Sequence, residues 1–336
     1  MKIARPDRQA DSRAPRPPTD TATTRLVARL TDRDRWILRM LHEHRVLTTH
    51  QLAALAFPTP NMTRHRLVLL HRYRVVDRFR PIRPRGTAPW HWVLAPAGIA
   101  VLAAETGTRV RELGYQHHRP LDIAHSLHLA HTIGVNDWFT TLATTAHHHD
   151  AQVLAWWSET RCRRLWGDLA RPDSFGRYTH THTRLDFFLE YDLGTMSLTR
   201  VAAKLLGYAE LARSTGVITP VLLWVPTTAR ETAARHALRA TAASLPDPDA
   251  VPVATAAADL LATTADPSPG DRVWLPLDSA RAHRIHLHDL ATVWPRRTPP
   301  PPNTDTDVDS DAEQSATLLG GLVMLPAPEP MLATRR

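Results

Sequence analysis

The sequence has a single cysteine, Cys162, among its 336 residues. It therefore cannot form a disulfide bond within the chain or build a metal site from several thiolates. No apolar run reaches the 18 residues that a membrane-spanning helix requires, so the sequence predicts no membrane association. The first 20 residues lack the apolar segment of a secretory signal peptide, and these absences together favour the reducing cytoplasm.

Lysine is almost absent as well. Of the 41 basic residues, only Lys2 and Lys204 are lysines, and the other 39 are arginines. The codon bias of a genome rich in G and C would explain most of this replacement. An ammonium and a guanidinium group differ in shape and in pKa, so a lysine retained inside such a chain is a candidate for a specific role, although one can also remain by chance. Lys204 is therefore a candidate functional residue.

The formal net charge is +8 and the sequence pI is about 10.4, which favours a polyanionic partner such as nucleic acid. The length is sufficient for two domains with a core each. The composition predicts the following division: 1–24 disordered, 25–107 a first domain, 108–121 a polar linker, 122–292 a second domain, and 293–336 a disordered tail rich in Pro and Asp. Within that tail, the apolar piece Leu318–Leu325 is expected to dock locally.

The pattern of the first domain is typical of a winged helix-turn-helix. Thr31, followed three residues later by Asp34, predicts a capped helix start, and Thr48 or Thr49 caps a second helix. The pattern then predicts a helix over 61–73, strands over 75–80 and 90–94, and a helix over 96–105 that begins with Pro96. In this arrangement the third helix enters the major groove and the two strands form the wing.

Basic residues concentrate on this module. Between Asn61 and Trp90 there are eight arginines and one acid, Asp77. Arginine and asparagine can read base edges with two hydrogen bonds, and arginines at a wing tip suit phosphates or a narrow minor groove. The residues that we expect to contact double-stranded DNA are Asn61, Arg64, His65, Arg66, Arg72, Arg83 and Arg85. The alternative is a solvated basic surface on a module that binds protein.

The second domain has the order α-β-β-β-α-β-α-β, which predicts an α/β domain of the restriction-endonuclease-like, PD-(D/E)xK type within an α+β protein. The predicted helices are 122–147, 198–211 and 228–243; the strands are 152–157, 174–181, 185–191, 219–225 and 251–254; an edge strand lies within 271–277. The stretch 161–171 is predicted to be a loop.

Three residues of this domain suit phosphodiester cleavage. Asp173 and Glu190 lie on adjacent predicted strands, where two carboxylates can hold Mg²⁺, and Lys204 on the next helix can stabilise charge on a phosphate. The usual pattern has a lysine two residues after the glutamate, where this sequence has Asp192. Glu159 could add a third carboxylate. The alternative is that Glu190 pairs with an arginine and the domain grips DNA without cutting it.

Short stretches in both domains resemble the replication-relaxation family of actinobacterial and related plasmids and mobile elements. The stretches that carry the resemblance begin at Leu30, His44, Val76, Trp92, His131, Arg171, Phe188 and Lys204, and the resemblance as a whole covers roughly 28–258. The resemblance implies a DNA-binding protein of plasmid replication or of the relaxation of supercoiled plasmid DNA. It implies no catalytic residues.

Three functions follow from these patterns. The first is a protein of plasmid or mobile-element replication that binds duplex DNA through the winged helix. The second is a Mg²⁺-dependent nuclease or nickase with Asp173, Glu190 and Lys204 as catalytic residues, which would itself relax supercoiled DNA. The third is a transcriptional regulator whose second domain senses a signal or forms a homodimer.

Overall fold

The structure is a computed structural model that describes residues 20–82, 86–115, 128–146, 148, 150–277, 283–294 and 323–330. It combines helices with two β-sheets, and the fold is therefore a mixed α+β fold. The chain divides into two compact units: unit 1 is Met1–Ile133 with Glu313–Arg336, and unit 2 is Gly134–Ala312. Within the described residues, no helix has both the length and the apolar character needed to cross a membrane.

Unit 1 combines helices with a small antiparallel sheet. Its described helices are α1 (Asp20–Val27), α2 (Asp32–His44), α3 (Thr49–Ala56), α4 (Pro60–Arg72) and α5 (Pro96–Glu105). Its strands are β1 (Leu47–Thr48), β2 (Val76–Phe79) and β3 (His91–Leu94), with β3 between the other two and antiparallel to both. From α2 to α5 the helices and the β2–β3 ribbon follow the order that the sequence predicts.

Two threonines begin helices as predicted. The Thr31 hydroxyl accepts a hydrogen bond from the Asp34 amide at 3.3 Å, and the Asp34 carboxylate accepts one from the Thr31 amide at 2.7 Å. Thr48 and Gln51 make the same reciprocal pair at α3, at 3.2 Å and 2.7 Å. These side chains satisfy amides that have no partner within a helix. Thr48, not Thr49, is therefore the N-cap of α3.

Unit 2 is built on a mixed six-stranded sheet. The strands are β4 (Ala151–Ser158), β5 (Ser174–His180), β6 (Thr183–Tyr191), β7 (Val221–Val225), β8 (Val253–Ala257) and β9 (Leu275–Pro276), and they lie in this order across the sheet. Pairs β6–β7 and β7–β8 are parallel, and the other pairs are antiparallel. The helices are α6 (Leu129–Ala146), most of which lies in this unit, α7 (Glu159–Trp166), α8 (Leu198–Thr215), α9 (Thr228–Ala243) and α10 (Leu290–Val293).

The side chains of strand β6 point alternately to the two faces of this sheet. Successive side chains of a strand point to opposite faces. Phe187 stacks on Phe139 of α6, with ring centroids 6.1 Å apart, while Phe188 stacks on Tyr208 of α8 at 5.3 Å. Glu190, two residues after Phe188, is therefore on the α8 face of the sheet.

Helix α7 is the clearest difference from the predicted elements, because 161–171 was expected to be a loop and Glu159–Trp166 is helical. Three of its eight residues are arginines, which mask the apolar periodicity of a helix. The Ser158 side chain accepts from the Arg161 amide, and Cys162 is fully buried. Packing therefore determines this helix more than its composition does.

Three further stretches have more structure than their composition predicts. Residues 20–24, expected to be disordered, begin α1, whose Leu26 and Val27 are half-buried. In the predicted linker, Leu113 is buried and its carbonyl oxygen lies 3.3 Å from His42 Nε2. Residues 323–330 of the predicted tail form hydrogen bonds with Trp36 and Glu112 within unit 1. These are tertiary contacts between distant segments, which local composition does not reveal.

Candidate functional site

The structure brings together the three residues that the sequence predicts to be catalytic. Asp173 directly precedes β5, and because Ser174 pairs with Leu189, it lies across from Glu190 of β6. Lys204 of α8 donates a hydrogen bond to the Glu190 carboxylate, and its Nζ lies 3.8 Å from Asp173 Oδ1. We call Asp173, Glu190 and Lys204 the carboxylate–lysine cluster.

Backbone contacts hold Asp173 in place. Its amide donates to the Leu189 carbonyl oxygen at 3.1 Å, and its Oδ2 accepts from the Tyr191 amide at 2.8 Å. Both partners belong to β6, so the position of Asp173 follows from the register of the hairpin. Its carboxylate is fixed beside the end of that strand.

Tyr208 completes the surroundings of Glu190, and the sequence did not assign it a role. Its buried hydroxyl donates a hydrogen bond to Glu190 Oε1, while Lys204 donates to Oε2. Lys204 and Tyr208 are four residues apart on α8, so they lie on the same face of the helix. That spacing is the signal that could have identified Tyr208.

The electrostatics of the cluster follow from its burial. Burial raises the pKa of Glu190 to about 7, and the neighbouring Asp173 carboxylate adds to the rise, whereas Lys204 and Tyr208 oppose it. Burial by itself would lower the pKa of Lys204, but Glu190 and Asp173 raise it above its ordinary value. Burial and Glu190 raise the pKa of Tyr208 well above its ordinary value. Lys204 is therefore a cation, and Tyr208 is a neutral donor at physiological pH.

The two carboxylates of the cluster could hold Mg²⁺ together with water and substrate phosphates. Magnesium binds oxygen ligands, and in phosphoryl chemistry it uses one or two carboxylates together with water and substrate phosphates. Asp173 and Glu190 supply such a pair. Among the residues that the structure describes, no three or more His, Cys, Asp or Glu side chains form a group that could hold an ion, so Glu159 does not complete a trio. The pair suits a site that substrate completes.

Asp192, which occupies the usual lysine position, is engaged elsewhere. Its carboxylate accepts a hydrogen bond from Arg230 Nε, and its Oδ1 accepts from the Gly194 amide at 2.9 Å. Arg230 also donates to the Met196 carbonyl oxygen at 2.6 Å. These bonds hold the turn that leads from β6 into α8, and thereby support the position of Lys204.

A second candidate surface lies on α4 of unit 1. Thr63, Leu67 and Leu70 are buried on one side of this helix. The side chains on the opposite side are exposed, and four of them belong to the predicted DNA-contacting set: Asn61, Arg64, His65 and Arg72. We call these four residues the α4 face.

Arg66 differs from its helical neighbours. It forms a two-pronged ion pair with the carboxylate of Asp34, a fully buried residue of α2, with Nε 2.7 Å from Oδ1. Burial would raise the pKa of Asp34, but Arg66 and the Thr31 contacts lower it below its ordinary value. Because its Nε and Nη2 both bind Asp34, Arg66 contributes to the packing of unit 1 and is not part of the α4 face, and its contact with DNA stays a prediction. The predicted contacts Arg83 and Arg85 lie outside the described residues.

A family model described as replication-relaxation matches residues 38–222, which is more than half of the chain. The chain belongs to the replication-relaxation family. The matched region of this replication-relaxation protein includes the α4 face and the whole carboxylate–lysine cluster. Neither a curated protein nor a solved structure matches the chain. The family suggests a role in the replication or relaxation of plasmid or mobile-element DNA.

Proposed function

We propose that this replication-relaxation protein binds duplex DNA through unit 1, which acts as a winged helix-turn-helix during replication or relaxation of plasmid or mobile-element DNA. Helix α4 would enter the major groove, and the β2–β3 ribbon would lie on the adjacent backbone. The order of elements from α2 to α5 supports this proposal. The net charge of +8 supports a polyanionic partner.

The α4 face is the observation that carries the proposal. Arg64 and Arg72 are exposed about two turns apart on the same side of the helix. In the described part of the chain, neither takes part in an ion pair, so both guanidinium groups are available to a nucleic acid. Asn61 adds a side chain that can form two hydrogen bonds with adenine.

The test compares Arg64→Ala with the wild type in the full-length protein. If Arg64 contacts a base, the variant loses about 1–3 kcal/mol of binding free energy; if it contacts a phosphate, the slope of log affinity against log salt falls by about 1. Fluorescence anisotropy of a labelled plasmid duplex at several salt concentrations measures both quantities. Arg109→Ala, which removes an exposed arginine elsewhere in unit 1, is the matched control. Unchanged affinity and slope for Arg64→Ala would contradict the assignment of α4.

A second candidate function is metal-dependent nicking of DNA by unit 2, and the convergence of the carboxylate–lysine cluster favours it. Asp173 and Glu190 would hold Mg²⁺, which when bound supplies Lewis acidity and a reactive water at neutral pH. Lys204 would stabilise negative charge on the phosphate, and Tyr208 would position Glu190. In hydrolysis, the water oxygen bonds to phosphorus, one P–O bond to a sugar breaks, and the released oxygen takes up a proton. One such break relaxes a supercoiled plasmid.

Supercoiled plasmid incubated with full-length protein and Mg²⁺ tests this activity. We expect open circles to form with the wild type and to form at least about a hundredfold more slowly with Asp173→Ala or Lys204→Met, because the first variant loses a metal ligand and the second loses the cation that stabilises the phosphate. Glu210→Gln changes an exposed carboxylate on the same helix and should leave nicking unchanged. Nicking that persists in both site variants, or that does not need a divalent metal, would exclude this cluster as its source.

A further inference from the structure

The β2–β3 ribbon of unit 1 carries two arginines on one tryptophan, outside the set that the sequence predicts to contact DNA. The guanidinium carbons of Arg78 and Arg80 each lie 4.1 Å from the centroid of the Trp90 ring. Arg78 also lies over Trp92, at 5.5 Å. We call Arg78, Arg80 and Trp90 the arginine–tryptophan stack.

The strand register produces this stack. Arg78 pairs directly with Trp92 across β2 and β3. Because side chains two residues apart share a face of a strand, Arg80 and Trp90 lie on the same face as that pair. The alternating pattern of arginine and tryptophan in the two strands therefore builds a basic strip along one face of the ribbon.

The stack brings two positive charges together on one ring. Among the residues that the structure describes, neither Arg78 nor Arg80 forms an ion pair. The nearby Asp77 uses its Oδ1 for the Arg78 backbone amide at 2.7 Å and lies 3.4 Å from His71 Nε2. Burial and the charge of Arg80 lower the pKa of Arg78, and the charge of Asp77 opposes this shift. An anion placed against this pair would relieve the repulsion between the two guanidinium groups.

Trp90 also limits what kind of anion the stack can serve. A cation over an aromatic ring is attracted to it and loses side-chain freedom, so a guanidinium held in this way costs less entropy to order on binding. Unpaired bases bind to proteins by stacking on free aromatic rings. The Trp90 ring already carries two guanidinium groups and is half-buried, so it is a poor platform for a base. The stack suits phosphates.

We propose that Arg78 and Arg80, held on Trp90, form a phosphate clamp that grips the sugar–phosphate backbone of duplex DNA independently of base sequence. This inference rests on the proposal that unit 1 binds duplex DNA, and it assigns to β2 a contact that is separate from the α4 face. Phosphate contacts fix the position of a protein on a duplex, whereas base contacts select the sequence.

The test measures the binding of the full-length protein to two duplexes of unrelated sequence over a salt series. Arg80→Ala, at an exposed position, should lower the salt slope by about 1 on both duplexes, and the variant that also carries Arg78→Ala should lower it by about 2. Arg109→Ala is the control for the loss of an exposed arginine.

The tryptophan itself gives an independent readout. Trp90→Leu keeps both charges but removes the ring, so affinity should fall about fivefold while the salt slope changes little. Trp90→Phe restores an aromatic ring and should recover most of the affinity. Thermal unfolding of each variant shows whether the ribbon stays folded.

The possible failures are distinguishable. One outcome is that Arg64→Ala weakens duplex binding while Arg80→Ala and the double variant both keep the wild-type salt slope. In that case the proposed phosphate clamp is wrong and the proposed DNA-binding function stands. If the arginine variants lose affinity only for single-stranded oligothymidylate, the stack serves unpaired strands, and the duplex clamp is wrong. If the wild type does not bind duplex DNA, both proposals fall.

Discussion

At the scale of single residues, the state of Glu190 determines what the carboxylate–lysine cluster can bind. Lys204 and Tyr208 each donate to one of its two oxygens. With a pKa raised to about 7 by burial and by Asp173, this carboxyl is partly protonated at neutral pH. A divalent cation that binds there must displace a proton and compete with two hydrogen-bond donors, so its affinity should rise with pH.

The raised pKa has a measurable effect on stability. Because the folded-state pKa of about 7 lies above the ordinary value of 4.5, Glu190 stabilises the folded protein fully below pH 4.5, and this contribution is lost as the pH rises to 7. We expect the free energy of unfolding of unit 2 to fall over this window by about 2–3 kcal/mol relative to Glu190→Gln, which cannot titrate. Hydrogen exchange of β6 peptides in urea at each pH measures it.

The control for this experiment is Glu210→Gln, which removes a carboxylate from the surface of α8. The difference in the free energy of unfolding between wild type and Glu210→Gln should stay constant from pH 5 to pH 7.5. If the difference in unfolding free energy between wild type and Glu190→Gln is also constant over this pH range, Glu190 titrates near its ordinary value. Its surroundings then do not disfavour the charged form.

Part of this site could be predicted from the sequence because its geometry is local. Asp173 directly precedes β5 and Glu190 lies near the end of β6, the two strands of one hairpin, and Lys204 lies on the helix that follows, so their convergence depends on few connections. The ion pair between Asp34 and Arg66 could not be predicted, because its partners belong to different helices and 32 residues separate them. An arginine surrounded by other arginines carries no sequence signal for which acid it will meet.

At the scale of elements, periodicity and capping predicted most boundaries. The Pro96–Glu105 and Thr228–Ala243 helices end where the pattern ends, and the alternation in β6 sets its two faces. Helix α7 was missed because three of its eight residues are arginines, which mask the periodicity of a helix. The pairing of arginine with tryptophan across β2 and β3 depends on register, which sequence fixes only when the turn is known. Helices and strands with an apolar pattern can thus be predicted from the sequence, and elements rich in arginine are harder to predict.

At the scale of the whole molecule, unit 1 is built from two distant parts of the chain. The Trp36 indole donates to the Glu329 carbonyl oxygen at 2.7 Å, and the Val323 amide donates to the Glu112 carbonyl oxygen at 2.7 Å. Leu325 is buried. The last residues of the apolar piece that was expected to dock locally, 323–325, do dock, but on a distant segment of unit 1, and the residues before them lie outside the described part of the chain.

Removal of residues 313–336 should therefore destabilise unit 1 and leave unit 2 unaffected. The truncated chain loses the burial of Leu325 and leaves the indole N–H of Trp36 without its acceptor, which together cost about 2–4 kcal/mol. Hydrogen exchange should accelerate in α2 and stay unchanged in β6. Removal of 331–336 alone is the matched control and should change the hydrogen exchange of neither α2 nor β6. Equal protection of α2 in both truncated proteins would show that 323–330 contribute little.

The same arrangement sets an order of events during synthesis. The ribosome produces the amino-terminal part of unit 1 first and then the sheet of unit 2, both before it produces Leu325. The first part of unit 1 therefore emerges early but lacks the segment that completes it. Until translation reaches that segment, the surface that buries Leu325 is open to water or to a chaperone. A nascent chain that stalls or is degraded before this point leaves unit 1 unfinished, and the proposed DNA-reading module matures only after residues 323–330 have been made.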